Sequence, residues 1–179
     1  MHYGAIRKYD VANGPGVRIT LFVSGCRNHC KGCFQKETWD FCYGQEYTND
    51  TEDYILSMLD SDYVEGLTIL GGEPFEPENQ ETILGLIKRV RKDLPQKNIW
   101  VFSGYRLEEE ILKEGAHPNT QFSKEIISKI DVLVDGRFIE EKKNITLIFR
   151  GSENQRLIDI KKTLESGTVV LWDESSTRE

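Results

Sequence analysis

The sequence is short of several things, and each shortage closes off a class of protein. It has no apolar run approaching the roughly 20 residues that a membrane-spanning helix needs, so no membrane span is expected. It has no excess of positive charge: 23 Lys and Arg stand against 30 Asp and Glu, a formal net charge of −7. An acidic surface repels a phosphate backbone, so nucleic acid is not an expected partner. The basic stretch KRVRK, Lys88 to Lys92, falls on a helical pattern and reads as a solvated helix face. Prolines number 5, and neither an internal repeat nor a low-complexity linker interrupts the chain. Its 179 residues therefore suit a single domain over residues 1–179 with one substantial core. The opening MHYGAIRKYD has no apolar h-region, which makes a cytoplasmic location the expectation.

Cysteine is scarce as well, but its placement is not random. In a reducing compartment a disulfide framework is not expected, and clustered thiols point to metal or redox chemistry. Three of the 4 cysteines, Cys26, Cys30 and Cys33, stand in FVSGCRNHCKGCFQ at a C-x3-C-x2-C spacing, and Cys42 follows nine residues after Cys33. Four thiolates around one ion make a structural zinc site, yet only one C-x2-C pair is present. Three cysteines on one loop can instead ligate three irons of a [4Fe–4S] cluster and leave the fourth iron open to a small molecule. Spacing alone leaves the open cluster, zinc and free buried thiols as alternatives. Cys42 separates them: a ligating Cys42 closes the site, as in a non-enzymatic four-cysteine binding module, and a bystander Cys42 leaves it open and catalytic. Gly25 and Gly32 permit the backbone bends such a loop needs, and His29 reads as an exposed loop residue.

Around this loop, short runs rich in β-branched residues alternate with helical patterns. Strands are expected at Val17 to Val23, Leu67 to Leu70, Asn98 to Phe102, Asp131 to Asp135, Thr146 to Phe149 and Thr168 to Trp172. Helices are expected over Thr51 to Asp60, with Tyr54, Ile55, Met58 and Leu59 on one face, and over Glu78 to Asp93, with Pro77 at its start. RLIDIKKTL is ambiguous between strand and helix, and residues 173–179 read as frayed. Strand–helix alternation implies an α/β fold with a mainly parallel sheet, whose ligands gather at the C-terminal strand ends. Five polar or glycine-rich clusters fall at that edge: the cysteines, Gly71-Gly72-Glu73-Pro74, Ser103-Gly104-Tyr105, Asp135-Gly136-Arg137 and Arg150-Gly151-Ser152.

The segment CRNHCKGC resembles the cluster loop of radical S-adenosylmethionine (SAM) enzymes, and Asn13 to Trp39 resembles the signature of the glycyl-radical-enzyme activases. Together with GGEPF, IWVFSGY, DVLVDGRF and FRGSENQR, the chain is most similar to activating proteins of anaerobic (class III) ribonucleoside-triphosphate reductase. The resemblance implies a partial (βα) barrel with a cluster loop at residues 24–42. It implies a [4Fe–4S] cluster on Cys26, Cys30 and Cys33, with SAM chelating the fourth iron. Backbone carbonyls near Gly71, Gly72 and Glu73 would receive the methionine amino group. Gly32 and Phe34 would meet the adenine, and Ser103 and Asp135 the ribose or carboxylate. Arg150 would either neutralise a carboxylate or make a structural ion pair. The implied reaction is reductive cleavage of SAM, fed by a low-potential donor such as flavodoxin or ferredoxin. The resulting 5′-deoxyadenosyl radical would take hydrogen from the glycyl radical loop of the reductase large subunit. An activase of another glycyl radical enzyme, of the pyruvate formate-lyase type, is the nearest alternative.

Overall fold

The computed structural model of the chain describes residues 1–177. They form one mixed sheet of seven strands: β1 (His2–Asp10), β2 (Val17–Val23), β3 (Gln45–Glu46), β4 (Val64–Gly71), β5 (Asn98–Ser103), β6 (Val132–Asp135) and β7 (Arg156–Asp159). Across the sheet the order is β3-β1-β2-β4-β5-β6-β7. The central four, β2, β4, β5 and β6, run parallel, and the outer pairs β1·β2, β1·β3 and β6·β7 are antiparallel. Helices α1 (Asn49–Leu59), α2 (Pro77–Asp93) and α3 (Ser123–Lys129) lie in the connections between the parallel strands, and α4 (Ile160–Ser166) follows β7. No helix among the described residues is long and apolar enough to cross a membrane.

Local sequence explains the main elements. β2 reads VRITLFV, with six of its seven residues buried, as a strand covered on both faces must be. Thr48 and Thr51 close a capping box at the start of α1. Pro77 opens α2, where its missing N–H costs nothing, and Ile83, Leu84, Leu86, Ile87 and Val90 are buried along it. On α1 the buried face is Ile55, Leu56 and Leu59, and the expected member Tyr54 is exposed, with Lys8 Nζ 5.1 Å above its ring. The tyrosine thus keeps its hydroxyl wet, and Leu56 takes its place inside.

The sheet separates two apolar clusters. Alternate residues such as Leu21, Ile69, Val101 and Leu133 join the helices in the larger one. Their neighbours Trp100, Val132 and Val134 face the other side with Leu157, where Phe149 and Trp172 pack on them. Also buried is Arg18, whose guanidinium stands 5.5 Å from the Trp100 ring centroid. Arg18 Nε donates to Thr68 Oγ1 at 2.6 Å, Nη2 to the Leu67 carbonyl at 2.8 Å and Nη1 to that of Pro15 at 3.3 Å. Burial pushes this guanidinium down to about 10.

Two expected strands are not strands. At Thr146 to Phe149 the side chain of Asn144 accepts from Thr146 N at 3.0 Å, and the Asn144 carbonyl accepts from Leu147 N. An asparagine-led turn therefore replaces a ladder. Thr168 to Trp172 follows a left-handed Gly167 (φ 70°) and meets β7 only through the isolated Ile158–Leu171 bridge and its flanking bonds. The ambiguous RLIDIKKTL is both: strand β7, then helix α4, with Asp159 accepting from Lys162 N as the N-cap. The nine-residue β1 had no counterpart in the expected set, because glycine, charge and half-exposure blur its alternation. Glu174–Thr177 makes a short 3-10 turn, while residues 178–179 of the stretch expected to fray lie outside the described residues.

Candidate metal centre

The register of the parallel strands brings four sequence clusters to one edge. Val23 pairs with Gly71, Ile69 with Val101, and Ser103 with Asp135, so β2, β4, β5 and β6 end side by side. A cavity of about 490 Å³ opens there, lined by Cys26, Cys30, Cys33, Gly71, Gly72 and Ser103 among others. Gly32, Phe34, Glu73, Arg150 and Gly151 also line it, although no strand precedes Arg150. Phe34 stands at the rim with 85% of its surface exposed. Asp135 and Cys42 are not among the lining residues, and Cys42 is exposed.

The cysteine loop is tied down at both ends. Gly25 N donates to the Thr38 carbonyl at 2.8 Å and Cys26 N to that of Trp39 at 3.2 Å, closing the loop on itself. Gly25 has φ 92°, and a Cβ there would stand 2.3 Å from the Phe41 ring. His29 stacks on Trp39 with ring centroids 4.3 Å apart. Gly71 and Gly72 press backbone against backbone: a Cβ on Gly71 would meet Val23 O at 2.7 Å, and one on Gly72 would meet Gly25 O at 2.6 Å. Glycine is therefore required at the end of β4 simply to let the cysteine loop leave β2. Of the three carbonyls from Gly71 to Glu73, that of Glu73 accepts from Asn79 Nδ2 at 3.0 Å.

Two buried carboxylates follow β4. Glu73 Oε1 accepts from Phe75 N at 2.9 Å and Ser103 Oγ at 2.8 Å, and Oε2 from Gly104 N at 2.7 Å and Asn28 Nδ2 at 3.0 Å. All four donors are neutral, and burial pushes this carboxyl up to about 7. Glu76 meets a guanidinium: Arg27 Nη1 donates at 2.6 Å and the Arg27 backbone N at 2.8 Å, with His117 Nε2 at 2.9 Å. Burial alone would raise it, but these bonds hold it below the ordinary carboxylate range. Sequence reasoning missed Glu76, Asn28 and His117 as parts of the site. The second glutamate of GGEPFEP was the visible signal for the first, since a glutamate between Phe75 and Pro77 has an apolar neighbourhood to satisfy.

The remaining expected contacts resolve as follows. Ser103 lines the cavity with its hydroxyl engaged by Glu73 and by Tyr105 N at 3.0 Å. Asp135 is wholly buried and taken by Leu107 N at 2.9 Å and by Arg156 Nε at 2.9 Å, with Arg106 Nη1 3.6 Å away. Arg150 Nη1 pairs with Glu174, while its buried Nε has no hydrogen-bond partner among the described residues.

All four cysteines are free thiols. Burial, then Glu73, pushes the Cys26 thiol up to about 12, and burial raises that of Cys30. Ligation needs thiolates, so loading this site must release protons. Among the described residues no three His, Cys, Asp or Glu side chains converge as a single-ion site. An all-thiol donor set along one cavity wall, with no competing disulfide, fits an iron–sulfur cluster, in which separate irons take separate sulfurs.

Comparison with known proteins identifies an iron–sulfur domain in this chain. Residues 12–158 match the family model of the 4Fe-4S single cluster domain. The chain is 40% identical over 157 residues to the anaerobic ribonucleoside-triphosphate reductase-activating protein of Escherichia coli (strain K12), covering 87% of this chain and 96% of the relative. Identity to the proteins of the same name from Salmonella typhi and Enterobacteria phage T4 is 40% and 38%, over 87% and 88% of this chain and 96% and 93% of theirs. The chain thus belongs to the family of anaerobic ribonucleoside-triphosphate reductase-activating proteins, and carries that family's 4Fe-4S domain.

Proposed function

We propose that this chain is a radical SAM activase that generates the glycyl radical of an anaerobic ribonucleoside-triphosphate reductase in the cytoplasm. The observation that carries the reading is the sorting of the cysteines: Cys26, Cys30 and Cys33 line one cavity with Gly71 and Gly72, and Cys42 does not. Three ligands rather than four leave one iron for a substrate. When bound, a [4Fe–4S] cluster would supply the electron that cleaves SAM, and the cleaved 5′-deoxyadenosyl group would take hydrogen from a glycine Cα of the reductase.

The chain's own residues hold and enclose. Cys26, Cys30 and Cys33 bind the cluster. The carbonyls of Gly71 and Gly72 receive the methionine amino group, at a strand end that already needs glycine for close approach. Gly32 and Phe34 border the adenine position at the rim. Ser103, fixed by Glu73, faces the ribose. Trp39 and Phe138 wall the cavity against water. Asp135 acts at one remove, through Arg156 and the backbone of Leu107, rather than on SAM. The sheet acts as the partial (βα) barrel into which the reductase's glycyl loop enters, and flavodoxin or ferredoxin is the expected donor.

Anaerobic EPR with reductant, SAM and the reductase tests this. The expected product is a glycyl radical doublet, abolished by Cys26→Ser and retained by Cys42→Ser with unchanged iron content. A colourless chain that loses its metal in Cys42→Ser would refute the reading.

A further inference from the structure

Residues 27 and 28, directly after Cys26, hold the least conspicuous bonds of the site. Neither residue is a ligand, yet each is gripped by a different buried carboxylate from the turn after β4. Glu76, with 0% of its surface exposed, takes the Arg27 backbone N–H at 2.8 Å and the Arg27 guanidinium at 2.6 Å. The guanidinium itself is sandwiched, bonded also to Glu78 at 2.6 Å and standing 4.4 Å from the Phe41 ring centroid. Glu73, 1% exposed, takes the Asn28 amide on the same oxygen that holds Gly104 N–H, while its other oxygen holds Ser103. Asn28 Oδ1 in turn accepts from Arg137 Nε at 2.9 Å.

These bonds add side-chain ties beyond residue 26 to segments that the strand pairing and the Glu73 N to Gly25 carbonyl bond already bring side by side. The cysteine loop springs from β2, the two glutamates from β4, and Ser103-Gly104 from β5. A buried carboxylate without enough donors is expensive, so Glu73 and Glu76 hold their donors firmly in return. Glu73 is more demanding in this respect, having no cation to lean on. Its four donors are spread over three segments, and giving up Asn28 leaves it with three.

We infer that Glu73 and Glu76 are positioning residues for the cluster loop: they fix Asn28 and Arg27, and through them Cys26, to the strand ends of β4 and β5. The inference rests on the reading of this loop as the holder of an iron–sulfur cluster. Loop and strand ends then form one rigid rim, so that the ligand cysteines and the Gly71-Gly72 carbonyls keep a fixed mutual geometry. Neighbours that orient ligands in this way typically contribute roughly 10–100-fold to metal retention or activity.

The test uses the full chain, reconstituted anaerobically, as wild type, Asn28→Ala, Glu73→Gln and the double variant, with Arg27→Ala as a probe of Glu76. Three quantities are read: iron release to a ferrous chelator, the EPR line shape of the reduced cluster with and without SAM, and the melting temperature of the metal-free chain. Asn28 is only half-buried, on the cavity side of the loop, so Asn28→Ala keeps the test open if Glu73→Gln fails to fold. The expected result is iron release roughly 10–100-fold faster in Asn28→Ala and Glu73→Gln, with an altered EPR line shape. The metal-free Asn28→Ala chain should melt close to wild type. The double variant should release iron no faster than the faster single, because both remove the same Asn28–Glu73 bond. Release and line shape at wild-type values in Asn28→Ala, or effects that multiply in the double variant, would overturn the inference. A wild-type chain that takes up no iron would instead overturn the cluster reading itself, and the clamp with it.

Discussion

The ends of β4 and β6 present the same object in two electrical settings. Each is followed by a fully buried carboxylate, Glu73 after β4 and Asp135 at the close of β6. Asp135 is clasped by Arg156 and has Arg106 nearby, and Arg156 also takes both oxygens of Glu108 at 2.8 Å. Glu73 has only amides and a hydroxyl. The difference follows from what each end faces. Asp135 points away from the cavity and can be neutralised by fixed cations. Glu73 lines the cavity beside Cys26, where the described bonds bring dipoles rather than fixed positive charge. One carboxylate locks the sheet edge; the other shapes the rim of the site.

The contrast can be broken in three ways. The largest effect is expected from Asp135→Asn, which leaves Arg156 without its buried counter-ion and should cost about 3–5 kcal/mol in urea unfolding. The folded fraction should bind SAM as wild type does. A tenfold loss of SAM affinity would show instead that Asp135 reaches the ligand.

Next comes the pH response of Glu73. Its folded-state value of about 7 lies above the ordinary 4.5, so between those pH values the folded chain holds a proton that the unfolded chain has lost. Its contribution is therefore most favourable at low pH and weakens as pH rises toward 7, by about 3 kcal/mol in all. Glu73→Gln cannot titrate. In the metal-free chains, the stability difference between variant and wild type should shift in the variant's favour as pH rises from 5 to 8. A pH-independent difference would mean that Glu73 is as well neutralised as Asp135. The smallest effect is that of Glu108→Gln, which removes a half-exposed partner of Arg156 and should change the unfolding free energy by at most about 1 kcal/mol.

Much of this arrangement was legible beforehand. β2 was bounded at the residues seen, and the ends of the parallel strands fell where runs of β-branched residues gave way to glycine and charge. The two missed or mistaken kinds of element share a physical cause. β1 is an outer strand with little burial to enforce alternation, and Thr146 to Phe149 is an apolar run whose backbone is captured by Asn144. Composition sees apolarity; it does not see which donor arrives first. Of the residues that line the cavity, the three cysteines and two glycines stand out in the sequence because their chemistry is local. Glu76 and Asn28 were not, since a buried acceptor is defined by donors elsewhere in the chain. Asp135 is the reverse case: a strand-end carboxylate gives no hint in the sequence of the Arg156 that donates to it.

The anchors of the cysteine loop have a consequence for the order of assembly. Asn28 is held by a residue 45 positions later, Arg27 by one 49 later, and Asn28 and Lys31 also by residues 109 and 110 positions away. Closing such spans costs chain entropy that neighbouring contacts must already have repaid. The β1–β2 hairpin can form locally, but the loop that follows it cannot settle until β4, β5 and the segment after β6 have docked. Iron delivered to a nascent chain would meet three unplaced thiols; delivered to the finished sheet, it meets a shaped receptacle.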